Sequence, residues 1–180
     1  AGLRAALAAA GAGRQVVLAS AGATFSGSSF YPGTWGLGLI GPENQADEGD
    51  LAAAILDVGR GMADPRLVSS FVSGIAPAVE ELQAMGVRLK EAGDQNQREF
   101  IPCFDHKHRS WHGLLFSSLR EVLTARLTQL GVELLPGVQL LELTRDGSRV
   151  DGAVLGGGGR LLWIRSGAVV LSCGGLGGLY

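Results

Sequence analysis

Residues 26–38 read Ser-Gly-Ser-Ser-Phe-Tyr-Pro-Gly-Thr-Trp-Gly-Leu-Gly, too rich in glycine and hydroxyls for an ordinary helix or strand. The stretch has the chemistry of a ligand loop. Glycines let the backbone approach a bound molecule closely and take positive φ, while Ser28, Ser29 and Thr34 offer hydroxyls beside backbone N–H groups to phosphate or sugar-alcohol oxygens. Tyr31 and Trp35 add flat apolar surface suited to a ring. Taken alone, the same residues read equally well as an exposed Gly/Ser loop with two aromatics laid on the core.

A second group able to do chemistry is Cys103, Asp105, His106, His108 and His112, since Cys and His at short spacings ligate zinc. A structural site wants four ligands of fixed spacing, and Lys107 and Arg109 in the same run favour a solvated charged turn. No metal is therefore expected. A serine nucleophile is disfavoured because no G-x-S-x-G elbow occurs.

The elements that must position these residues are legible in part. Residues 1–10 are Ala/Leu-rich with Leu3 and Leu7 four apart, a short buried helix stopped by the glycines at 11–13. Residues 15–20 form a continuous apolar run, the pattern of a parallel strand covered on both faces. Helix, turn, strand and ligand loop follow one another as in a dinucleotide-binding βαβ unit, with Gly2 as the tail of its glycine fingerprint. Further helices are expected at 50–60, capped by Asp50, at 65–85 behind Asp64-Pro65, and at 113–130 with Leu115, Leu119, Leu123 and Leu127 on one face. Pro77 is expected to kink or split the second. A short strand at 99–104 and a charged loop at 105–111 precede the third. Strands at 138–144, 150–155 and 161–164, joined by Asp146-Gly147 and by the glycines at 156–159, make a β-meander. Residues 168–172 read as another buried strand, ending in Cys173-Gly174-Gly175.

With 180 residues and 46% apolar composition the chain can bury a sizeable core, yet it reads as a piece of a longer protein. A net charge of −2 offers no basic field for nucleic acid. Two cysteines 70 positions apart suggest neither a disulfide framework nor a redox pair, which fits a reducing cytoplasm. No apolar run reaches the roughly 18 residues a membrane span needs.

Val-Val-Leu-Ala-Ser, a spacer and Gly27-Ser28-Ser29-Phe30-Tyr31 resemble the FAD-contacting segment of L-aspartate oxidases and their fumarate reductase and succinate dehydrogenase relatives. In that family a strand ending in Leu-Ser-Lys leads to Gly-Ser-Thr-Phe-Tyr-Ala-Gln-Gly-Gly; Ser20 matches the first serine and Ser28 to Tyr31 match Ser-Thr-Phe-Tyr. The Asp64-Pro65 helix with Gly86-Val87, the 113–130 helix with Gly131-Val132, the meander and Cys173-Gly174-Gly175 follow in the family's order. Ala21 stands at the family's lysine, and Thr34 and Trp35 stand at its paired glycines.

The resemblance implies an α/β fold: a Rossmann-like, two-dinucleotide-binding FAD domain with a parallel sheet, flanking helices and an inserted antiparallel β-meander, incomplete at both ends. It implies one partial FAD-binding domain over residues 1–180, with the capping domain that carries the substrate-binding residues not present. Cofactor contacts carry over to Gly2 at the diphosphate, to Ser20, Ala21, Gly27, Ser28, Ser29, Phe30, Tyr31, Pro32, Gly33, Thr34, Trp35 and Gly36 around ribityl and ring, to Val138, Gln139 and Leu140 at the adenine, and to Cys173, Gly174 and Gly175 at the ribityl chain. Because the succinate dehydrogenase branch bonds its flavin through a histidine at the position of Ser28, non-covalent FAD is implied. The implied reaction is hydride transfer from an amino dicarboxylate to FAD, with a fumarate reductase or succinate dehydrogenase-like flavoprotein, or a non-catalytic FAD-binding module, as alternatives. No catalytic residue is assigned. His108, Arg109 and His112 are placed near the flavin or substrate mouth, as the matching segment is in relatives.

Overall fold

The computed structural model describes residues 1–30, 38–89 and 109–175. The chain forms two compact units, one from residues 1–31 and 123–180, the other from residues 32–122.

In the first unit, α1 (Gly2–Gly11) buries Ala6, Leu7 and Ala10 on one side. Its end is closed by the N–H groups of Gly13 and Arg14, which bond the carbonyls of Ala10 and Ala9. This double closure needs a left-handed residue, and Gly13 has φ +76°. β1 (Val17–Ser20) pairs in parallel with β4 (Glu133–Pro136), Val17 opposite Glu133 and Ser20 opposite Pro136. The expected parallel strand is present, but it is half open: Val17 is 39% exposed, because β4 is its one ladder partner among the described residues. Between them in sequence, α4 (Phe116–Gln129) buries Leu119, Leu123 and Leu127, of which the last two belong to this unit, and ends on Gly131 with the same closure, Val132 N–H to the Leu127 carbonyl.

The meander is β5 (Gln139–Asp146), β6 (Arg149–Gly157) and β7 (Arg160–Arg165), in the order β5-β6-β7. A register shift between Leu140 and Glu142 inserts Leu141 as an extra residue, so Leu140 and Leu143 meet Leu155 and Ala153 on one face. The other face carries Trp163, 63% exposed, whose Nε1 donates to Thr144 Oγ1 at 3.4 Å. Residues 168–172 are not a strand: Val170 and Leu171 are exposed and the run has no ladder partner among the described residues. Strand composition does not make a strand without a neighbour to receive its N–H groups.

In the second unit, β2 (Gly38–Gly41) and β3 (Ser110–Gly113) form an antiparallel pair. They accompany α2 (Glu48–Val58) and α3 (Pro65–Ala84), whose Leu51, Val68, Val72 and Ile75 form the core. α2 starts two residues ahead of the expected Asp50, after a 3-10 turn at Gln45–Asp47. α3 begins as expected, Asp64 accepting the Arg66 N–H at 2.8 Å with Pro65 at the first helical position. Pro77 does not split it; α3 runs on to Ala84. The charged loop expected at 105–111 gives way to β3 at Ser110. The strand expected at 99–104 lies outside the described residues.

Candidate functional site

Three contacts converge on the carboxyl end of β1, where an open α/β sheet leaves its ligand crevice. The first turn of α1 lies against the strand: a Cβ built at Gly2 would sit 3.4 Å from Ser172 Cβ and 3.8 Å from Leu18 Cδ1. The Ser20 carbonyl accepts the Val138 N–H at 3.0 Å, and the Gly22 carbonyl accepts the Gly137 N–H at 3.2 Å. Ser20 Oγ donates to the Gly22 carbonyl at 2.9 Å, tightening the turn through Ala21. Strand β1, the start of β5 and the approach to Cys173 are thereby gathered at one place.

β6 closes in from the other side. At Gly157 a side chain has no room, since a Cβ would fall 2.4 Å from the Gly137 carbonyl oxygen and 2.9 Å from Val138 Cγ1. Gln139 and Leu140 are held in register opposite Gly156 and Leu155. Cys173 is an exposed free thiol, followed by Gly174 at φ +84° and by Gly175.

Farther along, Gly27 at φ +83° opens a 3-10 turn, Ser28–Phe30, closed by the Phe30 N–H to the Gly27 carbonyl at 3.1 Å. Phe25 and Phe30 meet edge to face with centroids 5.3 Å apart, which fixes the turn and leaves the Ser28 and Ser29 hydroxyls exposed. Tyr31, Pro32, Gly33, Thr34, Trp35 and Gly36 lie outside the described residues.

The electrostatics of this crevice suit an anion. α1 carries no acidic residue in its first turn, so no carboxylate there offsets the positive end of the helix. Sequence reasoning did not single out Gly22, Gly137, Gly157 or Ser172. Pro136-Gly137 is a turn signal that leads to the second of these, whereas the close approach at Gly157 shows only in three dimensions.

Arg109, expected near the flavin or substrate mouth, has two carboxylates as its observed partners. It is 2% exposed, and its guanidinium is forked between Asp47 and Asp50, the latter at 2.7 Å. Asp47 also accepts the Glu43 N–H at 3.0 Å. Burial raises the Asp47 carboxyl, but the Arg109 and Glu43 hydrogen bonds outweigh it and hold the group below its ordinary value. Cys103, Asp105, His106 and His108 lie outside the described residues, and no group of three or more potential metal ligands occurs among those described. Among the described residues, no helix is long and apolar enough to cross a membrane.

A family model described as "FAD binding domain" matches residues 1–180. L-aspartate oxidase of Mycobacterium tuberculosis is 30% identical over 181 residues, covering 100% of this chain and 34% of that protein. L-aspartate oxidase of Caulobacter vibrioides is 29% identical over 191 residues, covering 100% of this chain and 36% of that one. The chain thus spans about a third of the length of the curated relatives it matches. Among solved structures, a variant of E. coli quinol fumarate reductase superposes with a TM-score of 0.80 at 23% identity, covering 99% of this chain and 32% of that one. A 3-ketosteroid-delta4-(5alpha)-dehydrogenase from Rhodococcus jostii gives 0.72 at 17% identity, over 92% and 42%. At these identities the two structures speak for the fold.

Proposed function

This chain belongs to the FAD binding domain family, and from that premise we propose that it holds non-covalent FAD for an L-aspartate oxidase-like oxidoreductase. FAD is the cofactor, and the crevice fits it: the first turn of α1 carries no acidic residue, and glycines stand where a backbone must pass close. The observation that carries the reading is the convergence of α1, β1, Val138 and Ser172 at one strand end. Gly2 would face the diphosphate, Ser20 to Gly36 the ribityl chain and ring, Val138 to Leu140 the adenine, and Cys173 to Gly175 the ribityl chain again.

When bound, FAD supplies a two-electron acceptor that no side chain can replace. The chain's own part is to bind and orient it. The L-aspartate oxidases, 30% and 29% identical over the whole chain, favour an amino dicarboxylate as electron donor. A fumarate reductase-like activity is the second reading, supported by the resemblance of Gly27 to Tyr31 to that branch as well. A cytoplasmic location belongs to the same proposal.

The test is made on the full-length protein. Its visible spectrum is expected to show bound flavin that L-aspartate bleaches anaerobically, and acid precipitation is expected to release all of it. Flavin left on the precipitated polypeptide would sink the non-covalent assignment. Bleaching by succinate or reoxidation by fumarate, with no response to aspartate, would move the assignment to the second reading.

A further inference from the structure

We propose that β7 is a docking edge for an extended, acidic-ended segment of a partner protein, which adds to the meander as a fourth strand and lays its apolar side chains on Leu161 and Trp163. β7 is the last strand in the order β5-β6-β7, and no strand pairs with its outer side among the described residues. Alternate N–H and C=O groups along it therefore point away from β6, as a template for a further strand. The two edges of this sheet are unlike. β5 carries Glu142, Arg145 and Asp146 along its length together with two register shifts, the devices by which an edge strand resists further pairing. β7 carries four apolar residues in a row, Leu161-Leu162-Trp163-Ile164, with charge only at its two ends.

Leu161 and Trp163 share one face, opposite Gly156 and Val154, and are 73% and 63% exposed. The exposed ring is held in place. Trp163 Nε1 donates to Thr144 Oγ1, whose own hydroxyl donates to Asp151 Oδ1 at 2.7 Å. A Cβ at Gly152 would sit 3.0 Å from that Thr144 oxygen, so the glycine leaves room for this chain of bonds. An aromatic already fixed in one orientation gives up little freedom on binding, which suits it to anchor an interface. Charge then selects the partner. Arg160 and Arg165 are exposed and make no ion pair among the described residues. A second copy docked antiparallel on the same strand sets Arg160 against Arg165 of the copy at both ends, and like charges directly opposite destabilise a strand pair. An incoming strand with Asp or Glu at each end relieves both arginines and covers the apolar run between them.

The experiment uses the full-length protein, a Trp163→Ala variant and the double variant Arg160→Glu with Arg165→Glu, each set to select from a phage-displayed library of random heptapeptides. Peptides selected by the unaltered protein are expected to carry Asp or Glu at two positions five apart, as Arg160 and Arg165 are, with apolar residues alternating between them. They are expected to bind Trp163→Ala about tenfold more weakly. The double variant is expected to select Lys or Arg at those positions instead, and because both of its changes fall on exposed side chains it decides the matter even if Trp163→Ala fails to fold. No selection, selection without acidic ends, or the same acidic peptides selected by the double variant overturns the proposal. Amide hydrogen exchange at residues 160–165 of the free protein tests the other occupants. Its outward amides are expected to exchange faster than those of β6 at every protein concentration. Protection equal to that of β6 in dilute protein shows the edge already covered by the protein's own chain, and protection that grows with concentration shows a second copy; either overturns the proposal.

Discussion

Asp47 carries a carboxylate whose ordinary pKa of 3.8 is lowered in the folded chain, burial pushing it up and the Arg109 and Glu43 hydrogen bonds pulling it down further. A group with a depressed folded pKa contributes stability above its unfolded pKa and loses it as pH falls through the folded value. Thermal melts are therefore expected to be flat with respect to Asp47 at neutral pH and to fall below about pH 4. In Asp47→Asn that acid step is reduced; an unaltered acid profile in the variant would remove Asp47 from the account. Gly157→Ala is a sharper test of the crevice. With a carbonyl oxygen 2.4 Å from the new Cβ, the strand must shift, and denaturant melts are expected to show a loss of about 1–3 kcal/mol. The strand ending at Ser20 and the helix over residues 2–11 were legible in the sequence because each follows a local pattern. Arg109 was not, since its carboxylate partners lie 59 and 62 positions away.

Helix ends were the most legible elements, because glycine and proline act on their immediate neighbours. The stops at Gly13, Gly86 and Gly131 all use the same closure, in which the residue after the glycine bonds back five positions, Arg14 to Ala9, Val87 to Leu82 and Val132 to Leu127. Gly131→Ala, placed at φ +67°, is expected to cost about 1 kcal/mol in denaturant melts. Pro77 shows the opposite case: tertiary packing of Val72, Ile75 and Val79 carries α3 past a residue that propensity alone would make a break. Pro77→Ala restores an N–H to the ladder on an exposed side of the helix. It is expected to stabilise by about 1–2 kcal/mol, part of the roughly 3 kcal/mol propensity gap being offset by the freer unfolded chain. A lower melting temperature would show that the proline shape is needed. The short strands β2, β3 and β4 escaped sequence reading, since four residues carry too little periodicity and take their identity from a partner. The run at 168–172 erred the other way for the same reason.

For the whole molecule, the α/β class and the meander were legible, whereas the grouping of residues 32–122 into a compact unit of their own follows from long-range contacts that no local pattern announces. A ligand that binds only the folded form stabilises by RT ln(1 + [L]/Kd), about 2.7 kcal/mol at a hundredfold excess over Kd. Adding FAD to the full-length apoprotein is thus expected to raise its melting temperature in proportion to the logarithm of FAD concentration. No dependence on FAD would contradict the cofactor reading.

The parallel pair of β1 and β4 sets Val17 against Glu133, with the whole of residues 32–122 strung between them. During synthesis from the N-terminus, β1 leaves the ribosome long before its partner exists, and the helices and ladder of the intervening unit are made before β4 is. The inserted unit is free to fold first, as a local event. The cofactor crevice must wait for a late closure of high sequence separation, and until then β1 lacks the partner strand that receives its N–H groups.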